Sequence, residues 1–402
     1  MAFLYNRAGA KVFRANTLSS LSTMRSAFSF TARAFSTGSF RADDLVIEKT
    51  KNPKKRPAED HQYVFGQLTT DHMFEVDWSE SGGWEKPIIS PYHCFQMDPA
   101  NSTLHYALEC FEGLKAYPSH DKKKMHLFRP IENMKRMQTS FKALAFPDFD
   151  PEELQKCIAK LVDIDRDWMP WREKHSLYIR PTGISFENTL GVRPATKVKL
   201  FCILSPVGPY YPRGFQPVSV DCYTGYVRAW YKGSGDKKIG ANYGPTIKPA
   251  KTVAAQGYDQ ILWLVDDYVS EVGVMNAFVF WINEDGDKEL VTCPLDGTIL
   301  PGVTRKSILE LTRHWDEFKV TEKKFKIQDL IKAAKEDRVL EMFGCGTAAI
   351  VSPIKNVGYN GHDYPIPIDA ELNSGKLTNR LATELVDIQS GKKKFRDWVV
   401  EV

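Results

Sequence analysis

The chain has 402 residues, 43% of them hydrophobic, and a formal net charge of +4 at pH 7. This length is enough for two packed domains with a sizeable core. Residues 1–42 contain six basic and no acidic side chains, so the rest of the chain is nearly neutral. We therefore expect neither nucleic acid nor an anionic membrane as a partner. The chain also lacks a run of about 18 apolar residues, and no membrane span is predicted.

The first forty or so residues are basic and rich in Ser, Ala, Phe and Thr. This composition is typical of a mitochondrial transit peptide, whereas a secretory signal would contain an unbroken apolar centre. We predict that residues 1–42 are a cleaved transit peptide with an approximate end, and Arg33-Ala34-Phe35-Ser36 resembles a processing site. The expected location is the mitochondrial matrix. A disordered basic tail is the alternative.

The seven cysteines are far apart and form no C-x-x-C pair, and the histidines show no metal-ligand spacing. The sequence thus favours neither a zinc site nor a disulfide framework, and we predict no metal. Reduced thiols fit the matrix.

Apolar periodicity predicts alternating runs of strands and helices. Asp150 before Pro151 predicts a capped helix start. The stretch 104–117 is expected to hold short strands and a helix. The predicted strands are 73–78, 176–180, 198–204, 260–265 and 277–282. The predicted helices are 133–143, 151–165, 304–314, 327–334 and 377–390.

Residues 205–214 contain three prolines and two glycines, which disfavour regular structure. We place an interdomain linker at 206–214. It separates a small N-terminal α/β domain, 43–205, from a large C-terminal domain, 215–402.

A motif with two adjacent lysines contains the candidate catalytic residue. Residues 235–246 read Gly-Asp-Lys-Lys-Ile-Gly-Ala-Asn-Tyr-Gly-Pro-Thr, and they lie between Arg228 and the segment 270–276. Pyridoxal phosphate chemistry needs an amine to hold the cofactor covalently, a carboxylate at its ring nitrogen and a phenol or similar donor at its ring oxygen. Lys238, Glu271 and Tyr243 are of these types.

Several motifs in one order resemble the branched-chain amino-acid aminotransferases of the fold type IV pyridoxal-phosphate class. The resemblance runs from about Phe65 to the C-terminus. The motifs are Phe65-Gly66, Leu104-His105-Tyr106, Phe111-Glu112-Gly113-Leu114-Lys115-Ala116, Asn133-Met134-Lys135-Arg136-Met137, Tyr178-Ile179-Arg180-Pro181, 238–246, 271–276, Leu300-Pro301-Gly302-Val303-Thr304-Arg305 and Gly344-Cys345-Gly346-Thr347-Ala348.

This resemblance implies a two-domain α+β fold with the active site between the domains, and a homodimer. It also implies pyridoxal 5'-phosphate as cofactor. The reaction would be transamination of leucine, isoleucine or valine with 2-oxoglutarate, giving branched-chain 2-oxo acids and glutamate. The large C-terminal domain would bind the cofactor.

The resemblance assigns Lys238 as the catalytic residue, which holds the cofactor and moves a proton. The family's K-x-G-x-N-Y-G spacing selects it over Lys237. Arg136 would bind the phosphate together with the amides of 302–304 and the Thr347 hydroxyl. Arg228 would contact the cofactor, with a surface arginine as the alternative. The expected cofactor-binding residues are Arg136, Arg228, Lys238, Tyr243, Glu271, Val303, Thr304 and Thr347.

Substrate recognition must accommodate both an apolar and an acidic side chain. The resemblance implies an apolar wall for the first and Arg180 for the carboxylate of glutamate. Tyr106 and the amides of Thr347 and Ala348 would hold the α-carboxylate, and the neighbouring subunit would contribute Leu190 and Val192. The expected substrate-binding residues are Phe65, Tyr106, Phe111, Tyr178, Arg180, Leu190, Val192, Tyr210, Thr347 and Ala348.

The chain departs from the family pattern in two ways. Animal relatives carry a C-x-x-C redox pair after the Gly-Thr-Ala segment, where this chain has Ala349 and Ser352, so we expect no such switch. Val274 replaces a threonine that relatives often place near the cofactor. Cys345 has no resolving partner nearby in the sequence.

Other functions remain as alternatives. D-amino-acid aminotransferases and aminodeoxychorismate lyase share the implied fold, although Arg180 with an apolar wall argues against both. A non-catalytic scaffold would be expected to lack Lys238, Glu271 or Tyr243, and all three are present.

Overall fold

Two large mixed sheets dominate the computed structural model, one of ten strands and one of nine. The structure describes residues 38–210 and 214–402. The predicted transit peptide lies outside the described residues, apart from 38–42. Ser36–Val402 forms one compact unit, and the division into domains at 206–214 stays a prediction.

The helices and strands follow one another along the whole described chain. The strands are β1 Val46–Ile47, β2 His72–Ser79, β3 Gly83–Trp84, β4 Ile88–Pro91, β5 Glu109–Phe111, β6 Leu114–Pro118, β7 Met125–Phe128, β8 Ser176–Ser185, β9 Lys197–Val207, β10 Val218–Asp221, β11 Gln260–Val265, β12 Tyr268–Val272, β13 Met275–Ile282, β14 Lys288–Thr292, β15 Lys319–Glu322, β16 Val339–Gly346, β17 Ile350–Tyr359, β18 His362–Pro365 and β19 Val399–Glu401. The α-helices are α1 Ser102–Tyr106, α2 Pro130–Ala143, α3 Pro151–Ile164, α4 Ile247–Ala255, α5 Val303–Trp315, α6 Ile327–Lys335 and α7 Lys376–Gln389.

The first sheet has the order β1-β4-β2-β9-β8-β6-β7-β19, with β3 on β2 and β5 on β8. Its longest pairing joins β8 to β9 antiparallel, from Ser176 opposite Val207 to Ser185 opposite Val198. The last strand, β19, returns from the C-terminus to pair with β7. Helices α2 and α3 supply apolar side chains such as Met137 to the core of this sheet.

The second sheet has the order β12-β11-β10-β17-β16-β13-β14-β15, with β18 on β17. Helices α5 and α7 pack in one apolar cluster of this sheet, and α6 packs in another. The strand β12 and its neighbour β13 form a hairpin with Glu271 opposite Asn276. Because β12 also pairs with β11, Glu271 lies on a strand with a neighbour on each side rather than at an edge of the sheet.

All the predicted strands and long helices are confirmed, with shifted ends. Asp150 caps α3 by accepting the Glu152 amide at 2.8 Å, as predicted. Helix α2 begins at Pro130, three residues before the predicted start, because Pro130 takes the first-turn position after Arg129. Strand β9 continues to Val207, two residues into the predicted linker.

Phe40 is a core residue, although it lies inside the predicted transit peptide. Its side chain is 3% exposed, and its ring lies 5.2 Å from Trp84 and 6.3 Å from Phe149. The Ser39 hydroxyl also accepts the amide of Asp150 at 2.8 Å. Cleavage after residue 42 would therefore remove an apolar side chain from the core.

Within residues 38–210 and 214–402, no helix is both long and apolar enough to cross a membrane. The same part of the chain has no group of three or more His, Cys, Asp or Glu side chains placed to hold a metal ion.

Candidate active site

Lys238 directs its amine toward a phenol. Its Nζ lies 2.9 Å from the Tyr243 hydroxyl and 4.6 Å from the centre of the Phe111 ring. Burial lowers the pKa of Lys238 to about 7, and the guanidinium of Arg136 adds to the effect. A large share of this amine is thus neutral near pH 7, and the neutral form is the one that attacks a carbonyl carbon.

The neighbouring lysine has a different partner. Lys237 forms an ion pair with the adjacent Asp236. The arrangement supports the choice of Lys238 as the reactive amine. Tyr243 has a pKa well above its usual value, first because it is buried and then because Glu271 is near. Its hydroxyl therefore stays protonated and can donate a hydrogen bond.

Glu271 is a buried carboxylate with three partners. It is 3% exposed, and it accepts hydrogen bonds from the Leu300 amide at 2.7 Å and from Asn276 at 3.2 Å. Its other oxygen lies 3.0 Å from Nε of Arg228. Burial raises the pKa of Glu271, and Arg228 opposes the rise.

Arg228 is not a surface arginine, because its side chain is only 6% exposed. Besides facing Glu271, it donates to the carbonyl oxygens of Gly235 at 2.8 Å and Thr298 at 3.2 Å. Arg228 therefore ties the segment before Lys238 to the carboxylate. Val274 lies in the β12–β13 turn and is 65% exposed.

Arg136 is joined to Glu112 in a buried fork. Its Nε and Nη2 donate to the two carboxylate oxygens at 2.7 and 2.8 Å, and Nη1 donates to the Pro301 carbonyl at 3.0 Å. Glu112 is 0% exposed. Burial alone would raise the pKa of Glu112, but Arg136 brings it below the usual value. The guanidinium is thus fixed between helix α2 and the start of α5.

The start of helix α5 is suited to an anion. Its N-cap residue, Gly302, provides no side-chain cap, and the first turn contains no acid. The free amides and the helix dipole attract negative charge there. Val303, Thr304 and Thr347 line one narrow cavity beside it. Arg136 donates to the carbonyl of Pro301, just before this helix start. The residues predicted to bind the phosphate therefore lie together.

Lys115 supports the turn that carries Thr347. This buried residue of β6 lines the same cavity, and its Nζ donates to the Ala348 carbonyl at 2.9 Å. Burial lowers the pKa of Lys115 to about 8. The Lys115 ammonium adds positive charge near the amides of Thr347 and Ala348, which are predicted to bind the α-carboxylate.

Arg180 lies among aromatic rings. Its guanidinium carbon is 4.8 Å from the centre of the Phe111 ring and 5.2 Å from that of Tyr178, and Nη2 donates to the Tyr178 hydroxyl at 3.0 Å. Its Nε is buried without a hydrogen-bond partner. Phe65 packs edge-on against Tyr178 at 4.8 Å. The Arg180 guanidinium thus lies in an apolar wall, and its Nε has no hydrogen-bond acceptor.

The Tyr178 ring needs a glycine beside it. A Cβ on Gly113 would lie 2.1 Å from the Tyr178 hydroxyl oxygen, so any larger residue would displace the ring. Gly113 follows Glu112 directly, and the same short segment therefore serves both the Arg136 fork and the aromatic wall.

A second group of predicted substrate residues lies on the surface. Tyr106 donates its hydroxyl hydrogen to the Leu190 carbonyl, and Leu190 and Val192 are 62% and 80% exposed. Tyr210 follows strand β9 and is 52% exposed. The structure joins Tyr106 to Leu190 rather than to the Lys238 group.

Three residues that support the site have no predicted role, although they lie inside the motifs quoted above. They are Glu112, Asn133 and Lys115. Asn133 donates to Glu112 at 2.9 Å. The available signal was the presence of Glu112 and Lys115 in an otherwise apolar segment, because buried charges usually require partners.

The comparison with known proteins gives the class of the chain. A family model for class IV amino-transferases matches residues 109–357. The branched-chain-amino-acid aminotransferase of Dictyostelium discoideum is 52% identical over 90% of this chain and 95% of its own length. The chain therefore belongs to the class IV aminotransferase family.

Other relatives differ in the compartment that their names give. The mouse branched-chain-amino-acid aminotransferase named cytosolic is 49% identical, over 90% of this chain and 94% of its own length. The rat form named mitochondrial is 45% identical, over 90% and 92%. Among solved structures, the branched-chain amino acid aminotransferase of Thermobaculum terrenum in its PLP form has the same fold, fold type IV. Its TM-score is 0.65 at 19% identity, over 83% of this chain and 99% of that one.

The Glu112–Arg136 fork predicts a large stability effect. Glu112→Gln keeps the shape of the side chain but leaves a buried guanidinium uncompensated, which should lower the free energy of unfolding by about 3 to 5 kcal/mol. Urea denaturation followed by tryptophan fluorescence measures this loss. The matched control is Glu317→Gln, because Glu317 also accepts two bonds from one arginine, Arg380, but on the surface. The control should lose less than about 1 kcal/mol, and equal losses in both variants would contradict the prediction.

Proposed function

We propose that the chain catalyses pyridoxal-phosphate-dependent transamination between branched-chain L-amino acids and 2-oxoglutarate. Leucine, isoleucine and valine would give branched-chain 2-oxo acids and glutamate. The observation that carries the proposal is the Lys238 amine, whose pKa is lowered and which faces Tyr243. Relatives at 45–52% identity that are named for this activity support it.

The residues present fit pyridoxal 5'-phosphate. Arg136 and the uncapped start of α5 would hold the phosphate, with Val303, Thr304 and Thr347 around it. Tyr243 would donate to the ring oxygen and Glu271 would face the ring nitrogen. When bound there, the cofactor would supply an electron-accepting ring conjugated to the substrate α-carbon.

Lys238 has two roles in the proposed reaction. Its amine would hold the cofactor covalently until the substrate amine takes its place. The freed Nζ would then move a proton between the substrate α-carbon and the cofactor carbon. A pKa near 7 suits both directions of this transfer at neutral pH. The Tyr243 hydroxyl, 2.9 Å from Nζ, orients the amine.

The two kinds of substrate would use different parts of one pocket. Phe65, Phe111 and Tyr178 would surround an apolar side chain, and Tyr210 would extend this wall. The buried, unpaired Nε of Arg180 would meet the side-chain carboxylate of glutamate. The amides of Thr347 and Ala348 would hold the α-carboxylate that both substrates share.

We further propose a homodimer in the mitochondrial matrix. The exposed Leu190 and Val192 would enter the neighbouring subunit's site, and Tyr106, which bonds to the Leu190 carbonyl, would go with them and hold the α-carboxylate there. Removal of a transit peptide before Ser39 would leave Phe40 in the core, and this agrees with processing near 33–36 better than with cleavage after residue 42.

Replacement of the reactive amine should abolish the reaction. Lys238→Ala is expected to lower transamination of leucine with 2-oxoglutarate by several orders of magnitude, because covalent attachment and proton transfer are both lost. Lys237→Ala is the matched control and should remain active. Leucine should also remove the visible absorbance of the bound cofactor in wild type but not in Lys238→Ala, which lacks the amine that moves the proton. An inactive Lys237→Ala beside an active Lys238→Ala would overturn the assignment.

Arg180→Gln should separate the two half-reactions. Glutamate and 2-oxoglutarate should bind more weakly by roughly 2 to 5 kcal/mol, the cost of an unpaired carboxylate in a partly desolvated pocket. The leucine half-reaction should change far less and serves as the internal control. Single-turnover absorbance with each amino acid measures the halves separately. Equal losses would mean that Arg180 holds the shared α-carboxylate or supports the fold.

Mild peroxide should cause no rapid inactivation that a dithiol reverses. Ala349 and Ser352 offer no thiol pair, and Cys345 is 1% exposed with a pKa raised by burial. Cys94 is an exposed thiol, so Cys94→Ser controls for oxidation at the surface. Fast peroxide inactivation of Cys94→Ser that a dithiol fully reverses would contradict the prediction.

A further inference from the structure

Ser140 holds the backbone of Lys238 from helix α2. Its side chain is 0% exposed, and its Oγ accepts the Lys238 amide hydrogen at 2.9 Å. On the other side of the same residue, the Lys238 carbonyl accepts the Phe111 amide at 3.0 Å. The peptide groups on either side of the Lys238 α-carbon thus bond to two separate elements, α2 and β5, and Asn242 also donates to the Lys237 carbonyl at 2.8 Å.

Helix α2 presents Ser140 on the same face as Arg136 and Asn133. The spacings of three and four residues bring these side chains into one row. With a rise of about 1.5 Å per residue, Ser140 lies roughly 6 Å beyond Arg136 along the helix axis. Helix α2 therefore carries the guanidinium of the fork and, one turn later, the hydroxyl that binds the Lys238 segment.

The helix itself is anchored near both ends. Just before its first turn, Arg129 donates to Ser307 at 3.1 Å and to Glu310 at 2.9 Å, both on α5. Near its last turn, the buried Phe141 ring fills the space above Gly183, where an added Cβ would lie 2.3 Å from a ring carbon. These contacts keep the helix from sliding, so Arg136 and Ser140 keep their positions relative to α5 and β8.

We propose that Ser140 is a positioning residue that sets the place of the Lys238 amine relative to Arg136 through its hydrogen bond to the Lys238 amide. The inference rests on the proposed function, which assigns Arg136 and Lys238 to the two ends of one cofactor. Without the hydroxyl, the amide loses its acceptor, and the peptide group before the Lys238 α-carbon is held only through the Lys237 carbonyl, which accepts from Asn242 at 2.8 Å. Reaction rates fall steeply when a reacting group is misplaced by about 1 Å.

The test compares Ser140→Ala with Thr139→Ala in the holoenzyme. Thr139 is an exposed residue of the same helix whose hydroxyl bonds only the helix backbone, at Lys135. For leucine and 2-oxoglutarate, kcat per bound cofactor should fall about tenfold in Ser140→Ala, the equivalent of one hydrogen bond. KM should stay within about twofold because the substrate wall is untouched. Thr139→Ala should match wild type.

Two further readouts distinguish positioning from a general loss of stability. The charged groups around the amine are Arg136, Glu112, Arg180 and Glu271. A displaced Nζ meets a different field from these groups and from the Tyr243 hydroxyl 2.9 Å away, so the midpoint of the pH titration of the holoenzyme's visible absorbance should move in Ser140→Ala only. Hydrogen exchange of the Lys238 amide should also quicken. Ser140→Thr keeps the acceptor and should keep the wild-type midpoint, even where Ser140→Ala folds poorly.

Three results would overturn the inference. The first is a Ser140→Ala enzyme that equals Thr139→Ala in kcat per cofactor and in titration midpoint. The second is a loss of kcat that follows cofactor loss alone, with an unchanged midpoint. The third is unchanged exchange of the Lys238 amide. A wild-type chain that fails to transaminate leucine would instead refute the proposed function, and the exchange measurement would still test the Ser140 contact.

Discussion

The buried fork between Glu112 and Arg136 is the interaction on which the site depends. Neither charge can leave the interior without its partner, since an unpaired buried ion costs several kcal/mol. The fork therefore holds three elements as one unit. Glu112 belongs to the turn between β5 and β6, Arg136 belongs to α2, and the Pro301 carbonyl precedes α5. Chain segments far apart in sequence meet at one guanidinium.

Positive charge exceeds negative charge around this fork. Three arginines of the site face only two buried carboxylates, and two lysines, whose pKa values are lowered chiefly by burial, lie beside them. Such an imbalance is unfavourable in a protein interior, and a bound dianion would correct it. The site thus has an electrostatic reason to favour a phosphorylated ligand, beyond the match of individual donors. The arginines are Arg136, Arg180 and Arg228, the lysines are Lys115 and Lys238, and the carboxylates are Glu112 and Glu271.

The sequence predicted what local rules and motif spacing determine. Asp150 caps its helix because a short acceptor before a proline has few other conformations, and Lys238 is chosen over Lys237 by the residues that follow it. The contacts behind the site were not predictable in this way. Glu112 and Ser140 bond to residues far away in the chain, and neither residue type shows a periodic or spacing signal for such a bond. The burial of Phe40 likewise depends on tertiary packing, because the residues around it have the composition of the predicted transit peptide.

The return of β19 to the first sheet affects how the molecule can assemble. Its partner β7 is made early, but the residues that complete that edge, with Trp398 against Phe128 and Arg129, are the last of the chain. Pairings between such distant segments form slowly, because a long loop must close first. During synthesis from the N-terminus, the β7 edge therefore stays unpaired until residues 399–401 have emerged from the ribosome. A chaperone that covers this edge during synthesis would be of direct benefit to the yield of folded protein.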